Sequence, residues 1–280
     1  SIGGTLSDLW ATAESSFQTV QSQTDISYLL HRQHGHWGVR RFPGNTFVGS
    51  LQVFGPSDVW AFGATPRGQA FALHFNGRSW RRFPLAIAPQ TVSATSASDI
   101  WVIGEVPVNK PPRPRKSDAI AERWNGKKWL RVAVPVVTAP SGQSAAVGGT
   151  GVAAGPGEFW TTISIGFSTG CCLLGGLLHL DHGKWHKVSL PRAVTTGGPL
   201  TLDGHGGIWL IGANGNRFWL LHYLGGHWSR TPDPKVHGGV IAASSLTWIP
   251  HTRSVWATAS LDPPSDSFGF SQAAVLKFGR

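Results

Sequence analysis

The chain has no methionine, only two cysteines, two tyrosines and 14 acidic residues in 280 positions. Charged residues make up 14% of it, against roughly 25% in an ordinary soluble domain. No apolar run reaches the roughly 18 residues that would suggest a membrane span. The longest stretch, Ile163 to Leu180, is interrupted by Ser, Thr, Gly and both cysteines. With no signal sequence and no initiator Met, the chain reads as a mature or excised segment. Cys171 and Cys172 are adjacent, whereas a structural zinc site needs three or four N/S ligands at suitable spacings. In an oxidising compartment the pair is a candidate vicinal disulfide that would stiffen one loop; two reduced, buried thiols are the alternative. No metal and no cofactor are expected. The shortage of acids leaves a net charge of +10 and a pI near 10.3, which favours acidic partners such as polyanionic glycans or cell-wall polymers.

What is abundant is Gly (36) and Trp (14), and both are periodic. The phrase Ser-Asp-apolar-Trp occurs as Ser7-Asp8-Leu9-Trp10, Ser57-Asp58-Val59-Trp60 and Ser98-Asp99-Ile100-Trp101. Looser copies end at Trp160, Trp209 and Trp256. A second phrase follows each: a basic residue on an apolar run, a Gly turn and another Trp. The basic residue is His31, His74, Arg123, His179, His222 and, by extrapolation, Lys277. The second Trp is Trp37, Trp80, Trp129, Trp185 and Trp228; the sixth copy reaches Arg280 before its Trp. The first-phrase Trp positions are 50, 41, 59, 49 and 47 residues apart, close to the roughly 50-residue period of a four-stranded propeller blade. Alternating runs such as Ala70-Phe71-Ala72-Leu73-His74-Phe75 read as strands, and Asn-Gly or Gly-Gly between runs as hairpin turns. The expectation is an all-β, six-bladed β-propeller of four-stranded blades, the last incomplete at the C-terminus. Its blades would cover about 1–43, 44–84, 85–135, 136–191, 192–234 and 235–280 of one domain. One blade cannot bury both faces of its sheet, so the tryptophans should fill the wedges between neighbours.

Ser57-Asp58-Val59-Trp60-Ala61-Phe62-Gly63 with His74-Phe75-Asn76-Gly77-Arg78-Ser79-Trp80 resembles the repeats of bacterial kelch and galactose-oxidase-like propellers. Its Asn-Gly-x-x-Trp half also resembles the Asp-box turn of sialidase-like propellers. The resemblance implies architecture and, since propellers host enzymes and binding modules alike, little about function.

The six basic residues lie on the third strand of each blade, too far from the axis to converge on one ion. Each is expected to hydrogen-bond the Ser-Asp turn, whose Asp closes that turn. His34-Gly35-His36 and His182-Gly183-Lys184-Trp185-His186 read as surface turns, since two imidazoles rarely hold a metal. Ligand sites are expected where the loops between second and third strands lie, because insertions mark a working face. Between the first-phrase Trp and the basic residue lie 13 and 12 residues in blades two and five, but 20, 21, 18 and 20 in blades one, three, four and six. Blade three's insertion carries Lys110, Arg113, Arg115 and Lys116 among prolines, which suits a polyanion. Blade four's holds Cys171 and Cys172; blade six's holds Asp262 and Asp266; blade one offers Glu14 and Asp25.

Enzyme chemistry finds little support. A copper-radical oxidase needs two tyrosines, a Cys crosslink and two His, and only Tyr28 and Tyr223 exist. The four glutamates, Glu14, Glu105, Glu122 and Glu158, are scattered, and no pair at glycosidase separation is identifiable. No Gly-x-Ser-x-Gly, P-loop or His-Glu-x-x-His occurs. The reading is therefore an extracytoplasmic, secreted or surface-tethered binding propeller for a glycan, cell-wall component or protein, with nucleic acid disfavoured. A secreted polysaccharide hydrolase or lyase at the channel mouth is the alternative.

Overall fold

Alternating apolar residues bounded by Gly turns produce 23 antiparallel strands and no helix among the described residues. The computed structural model describes residues 1–18, 23–42, 46–105, 116–167, 172–214, 217–231, 240–249, 252, 254–262 and 272–278. Blade one is β1 (Ile2–Gly4), β2 (Asp8–Gln18), β3 (Gln23–Gln33) and β4 (His36–Arg41). Blade two is β5 (Phe47–Gly55), β6 (Asp58–Ala64), β7 (Ala70–Phe75) and β8 (Trp80–Pro84). Blade three is β9 (Thr91–Ser96), β10 (Asp99–Glu105), β11 (Ala119–Trp124) and β12 (Trp129–Ala133). Blade four is β13 (Gln143–Gly155), β14 (Glu158–Phe167), β15 (Cys172–Asp181) and β16 (Lys184–Val188). Blade five is β17 (Thr196–Leu202), β18 (Ile208–Asn214), β19 (Arg217–Leu224) and β20 (His227–Thr231). Blade six has three strands, β21 (Val240–Trp248), β22 (Val255–Asp262) and β23 (Gln272–Phe278). The fold is an all-β, six-bladed β-propeller with a three-stranded last blade.

Two compact units divide the chain: residues 1–110 with 118–135, which hold blades one to three, and residues 111–117 with 136–280, which hold blades four to six. In the first unit, Trp10, Leu29 and Phe42 of blade one meet Val48, Leu51, Val59 and Phe71 of blade two. Trp60, Phe62, Ala70 and Ala72 of blade two then meet Ile87, Ile100, Val102 and Trp124 of blade three. In the second unit, Trp160, Leu177 and Val188 of blade four pack on Leu200, Ile208, Leu210 and Trp219 of blade five. Ile211, Phe218 and Leu220 of blade five pack on Leu246, Val255 and Phe278 of blade six. Burial of these wedges, at about 25 cal/mol per Å² of apolar surface, is what makes a blade stable only beside its neighbours.

Two kinds of turn join third and fourth strands. In blades two and three, Asn76 and Asn125 accept backbone N–H bonds from the residues two and three further on, at 2.9–3.1 Å. Blades one and four use His34-Gly35 and His182-Gly183, all at positive φ, as a two-residue hairpin turn requires. Gly77 shows why the two phrases travel together: a Cβ there would sit 2.6 Å from the Cβ of Ser57 in the neighbouring turn. The extra residues of blades one and four enter the hairpins rather than loose loops, giving β2 and β3 eleven residues each and β14 and β15 ten.

Candidate functional site

In every blade the first-phrase Trp lies directly opposite the third-strand basic residue: Trp10 and His31, Trp60 and His74, Trp101 and Arg123, Trp160 and His179, Trp209 and His222, Trp256 and Lys277. Opposite residues share one face of a sheet, and the rings stack. Ring centroids are 3.7 Å apart for Trp10 and His31, 4.3 Å for Trp60 and His74, 3.6 Å for Trp160 and His179, and 4.1 Å for Trp209 and His222. The Arg123 guanidinium lies 5.6 Å from the Trp101 ring and the Lys277 ammonium 5.9 Å from Trp256. In blades one to four the far side of the basic group meets an acid. His31 reaches Asp8 (3.2 Å), His74 Asp58 (2.9 Å), Arg123 Asp99 (2.6 Å) and His179 Glu158 (3.1 Å). An ionised carboxylate only accepts, so each of these His Nε2 atoms carries the proton. Burial pushes His179 below the ordinary imidazole range, opposed by its hydrogen bond to Glu158.

Blade five builds the same set differently. Its first phrase has Gly207 where blades one to four have the acid. The carboxylate comes instead from Asp203, on the other side of the turn, whose Oδ2 accepts from His222 at 2.7 Å. Its Oδ1 accepts the backbone N–H groups of His205 (2.7 Å) and Gly207 (2.8 Å). Burial alone would raise this carboxyl, but the bonds from His222, His205 and Gly207 outweigh it and hold Asp203 below the usual range. Sequence reading missed Asp203. The signal was the acid-free phrase at Gly206-Gly207-Ile208-Trp209, which leaves His222 in need of a partner.

A cavity of about 390 Å³ opens beside this set, between blades five and six. Asp203, His205, Trp209, His222, Leu224, Trp248 and Thr252 line it. Trp209 is half-buried, whereas Trp10, Trp60, Trp101 and Trp160 are at most 4% exposed. The cavity lies at the end of these sheets where the first strands turn into the second. A smaller one, about 210 Å³, is lined by Thr150, Thr162, Ser164 and Gly149 of blade four with Gly197 of blade five; there Thr162 already accepts the Thr150 N–H at 3.0 Å.

The fourth strands carry charge of one sign. In the first unit β4 presents His36, Arg40 and Arg41, β8 presents Arg81 and Arg82, and β12 presents Arg131, all exposed. In the second unit β16 presents Lys184, His186 and Lys187, and β20 His227 and Arg230, again exposed. No Asp or Glu occurs in any of the five strands. Among the described residues none of these cations has a carboxylate within salt-bridge distance, although Arg131 stands opposite Glu122 and its charge acts on that carboxyl. Several lie on aromatic faces: Arg40 on Phe42 and Trp80 (5.4 and 5.8 Å), Arg81 on Phe83 (4.7 Å) and Arg230 on Trp219 (4.7 Å).

Of the loop residues singled out in the sequence, Lys110, Arg113, Arg115, Asp266 and Cys171 lie outside the described residues. Lys116 is exposed and its backbone bridges Thr138. Asp262 ends β22, and Cys172 opens β15 opposite Gly166. Asp25 accepts from the Ser16 hydroxyl at 2.6 Å. Among the described residues no three His, Cys, Asp or Glu side chains gather as a metal site, and no helix is long and apolar enough to cross a membrane.

No protein-family model and no curated protein matches the chain. Solved structures do. The acylaminoacyl peptidase of Pyrococcus horikoshii is 8% identical with a TM-score of 0.53, over 96% of this chain and 45% of that one, so the chain spans under half its length. The fucose-specific lectin of Aleuria aurantia is 13% identical over 95% of this chain and 94% of that one, with a TM-score of 0.42. A triple arginine-to-alanine mutant of AofleA from Arthrobotrys oligospora is 13% identical over 100% and 90%, with a TM-score of 0.45. At 8% identity the likeness to the peptidase is one of fold.

Proposed function

We propose that this chain is a non-catalytic recognition propeller that binds an anionic glycan or cell-wall polymer outside the cytoplasm, its kelch-like repeat serving as scaffold. The observation that carries the reading is that all five fourth strands hold exposed Lys or Arg and no acid. Charges on edge strands also prevent edge-to-edge pairing, but acids would do that equally well. A single sign repeated on five strands points to a ligand of the opposite sign. Arginines propped on aromatic rings keep their forks in place for sulfate, phosphate or carboxylate groups. Lys110, Arg113, Arg115, Lys116, Asp262 and Asp266 belong to the same proposal as further ligand contacts, carried by their sequence alone.

The test is retention on an anionic polysaccharide, polygalacturonate or chondroitin sulfate, against neutral dextran, at low and high salt. The expected result is salt-sensitive binding to the anionic polymers alone. Replacing Arg40, Arg41, Arg81 and Arg82 together by Ser should weaken it at least tenfold, with circular dichroism unchanged. Equal retention on dextran, undiminished binding by the variant, or breakdown of either polymer sinks the reading.

A further inference from the structure

We infer that the cavity between blades five and six is a binding site for one uncharged pyranose, a sugar ring with hydroxyls at its rim and an apolar C–H face. The inference stands on residues apart from the fourth-strand cations and is independent of the anionic-ligand reading.

The turns that wall the cavity are enlarged. Between first and second strands, blade two has residues 56–57, blade three 97–98 and blade four 156–157. Blade five has residues 203–207 there and blade six 249–254. Extra length in a connection costs little and commonly carries function. Here the longer turns supply Asp203, His205 and Thr252, while Trp209, His222 and Trp248 come from the strands beside them. Both indoles are held in place before any ligand arrives. His222 stacks on one face of Trp209 at 4.1 Å and is itself fixed by Asp203 at 2.7 Å. Among the described residues no other ring contacts Trp209, which is half-buried. Trp248 donates its indole N–H to the Thr252 carbonyl at 3.0 Å and lies so close to Gly204 that a Cβ there would meet it at 2.4 Å. Rigid walls lower the ordering cost of binding.

The lining selects the class of ligand. No Lys or Arg is among the described residues that line the cavity, so an anion finds no counter-charge. Its single carboxylate, Asp203, is buried and already accepts from His222, the His205 N–H and the Gly207 N–H, which leaves it little to offer a cation. An uncharged molecule finds the apolar surfaces of Trp209, Trp248 and Leu224 beside groups that exchange hydrogen bonds. The negative face of an indole attracts polarised C–H groups, because the ring is a quadrupole. With Nε2 protonated towards Asp203, a neutral His222 keeps Nδ1 as an acceptor. The exposed His205 ring makes no hydrogen bond among the described residues, and a neutral imidazole both donates and accepts. A molecule apolar on one face and hydroxylated at its rim meets all of these; a flat aromatic would use the indoles and leave the imidazoles unmet. The volume of about 390 Å³ lies near the lower end of ligand pockets, roughly 300–1,000 Å³, which suits a single sugar ring better than a chain.

The experiment is titration calorimetry on the full chain with the methyl glycosides of glucose, galactose, mannose and N-acetylglucosamine. Tetramethylammonium, sulfate and indole serve as cationic, anionic and aromatic probes. At least one glycoside should bind saturably with a Kd of about 1 mM or tighter, equally at low and high salt. Trp248→Leu and His205→Ala should each weaken that binding at least tenfold. Loss of the indole can also disturb the turn, whereas His205 contributes only its backbone N–H to it, so circular dichroism should stay unchanged in His205→Ala. Absence of binding by all four glycosides, or binding indifferent to His205→Ala, overturns the inference. So does a site that takes tetramethylammonium, sulfate or indole in preference to every glycoside. The four-arginine variant should bind the glycoside normally, which keeps this result apart from the polyanion test.

Discussion

Asp203 holds His222 from the wrong side of its turn: the carboxylate reaches Nε2 at 2.7 Å from four residues before Gly207, the position that holds an acid in blades one to four. The set of Trp, basic residue and acid is thus conserved as geometry although its acid has moved. Asp203→Ala strips His222 and two backbone N–H groups of their acceptor, and an unmet buried group costs about 1–3 kcal/mol. Urea denaturation at pH 7 should show a loss of about 2 kcal/mol or more.

The same carboxyl makes a pH prediction. Its folded value is held below the ordinary 3.8, so the unfolded chain binds the proton more tightly. Its stabilisation is present above 3.8 and is lost as pH falls through the lower folded value. Wild type and Asp203→Asn should therefore converge in stability on acidification, which parallel urea titrations from pH 7 to pH 3 would reveal.

Gly207 cannot take back the acid by a single change. A Cβ there would come 2.3 Å from the Tyr223 carbonyl and 2.5 Å from Asp203 Oδ2. Both Gly207→Ala and Gly207→Asp should destabilise by about 2 kcal/mol or more. A thermal melt in which either variant equals wild type would contradict this geometry.

His179 gives a second pH prediction. Burial favours its neutral form, so its folded value lies below the ordinary 6.5. The unfolded state takes up the proton first, and stability contributed by the neutral ring is lost as pH falls below about that value. NMR should show the His179 ring taking up its proton below the ordinary 6.5. His179→Gln should flatten the stability curve between pH 7 and pH 5.

Glu122 runs the other way. Burial raises its carboxyl above the ordinary 4.5, against the backbone bond from Ala86, the charge of Arg131 and the backbone bond from Ile87, the first of them 2.7 Å long. A raised value means stability that is full at low pH and declines as pH rises through it. The advantage of wild type over Glu122→Ala should accordingly be larger at pH 4 than at pH 8.

The repeat phrases were enough for the architecture because blade formation is a local matter. Period-two runs, a Gly turn that only positive φ satisfies, and a Trp with a basic residue set opposite it recur in the chain order in which they pair. The candidate sites were less legible. Asp203 could not be assigned to His222 from sequence, because its carboxylate works across a turn whose path follows from the packing of Trp248 on Gly204. The longer spacing in blades one and four read as loop insertion, but β2 with β3 and β14 with β15 absorb it as hairpin, since unpaired backbone groups are costlier than extra ladder bonds.

Sequence by itself determined that this chain is all-β, six-bladed and basic, because periodicity and charge are properties of residue order. It also determined that the tryptophans belong mainly to the scaffold, since eleven of the fourteen lie in the repeat phrases. Tertiary structure decided the rest: that exposed cations recur on the fourth strands, that Trp209 is half-buried, and that a cavity lies beside it between blades five and six. Those are relations between neighbouring blades, and they exist only once residues some forty positions apart in sequence lie against one another.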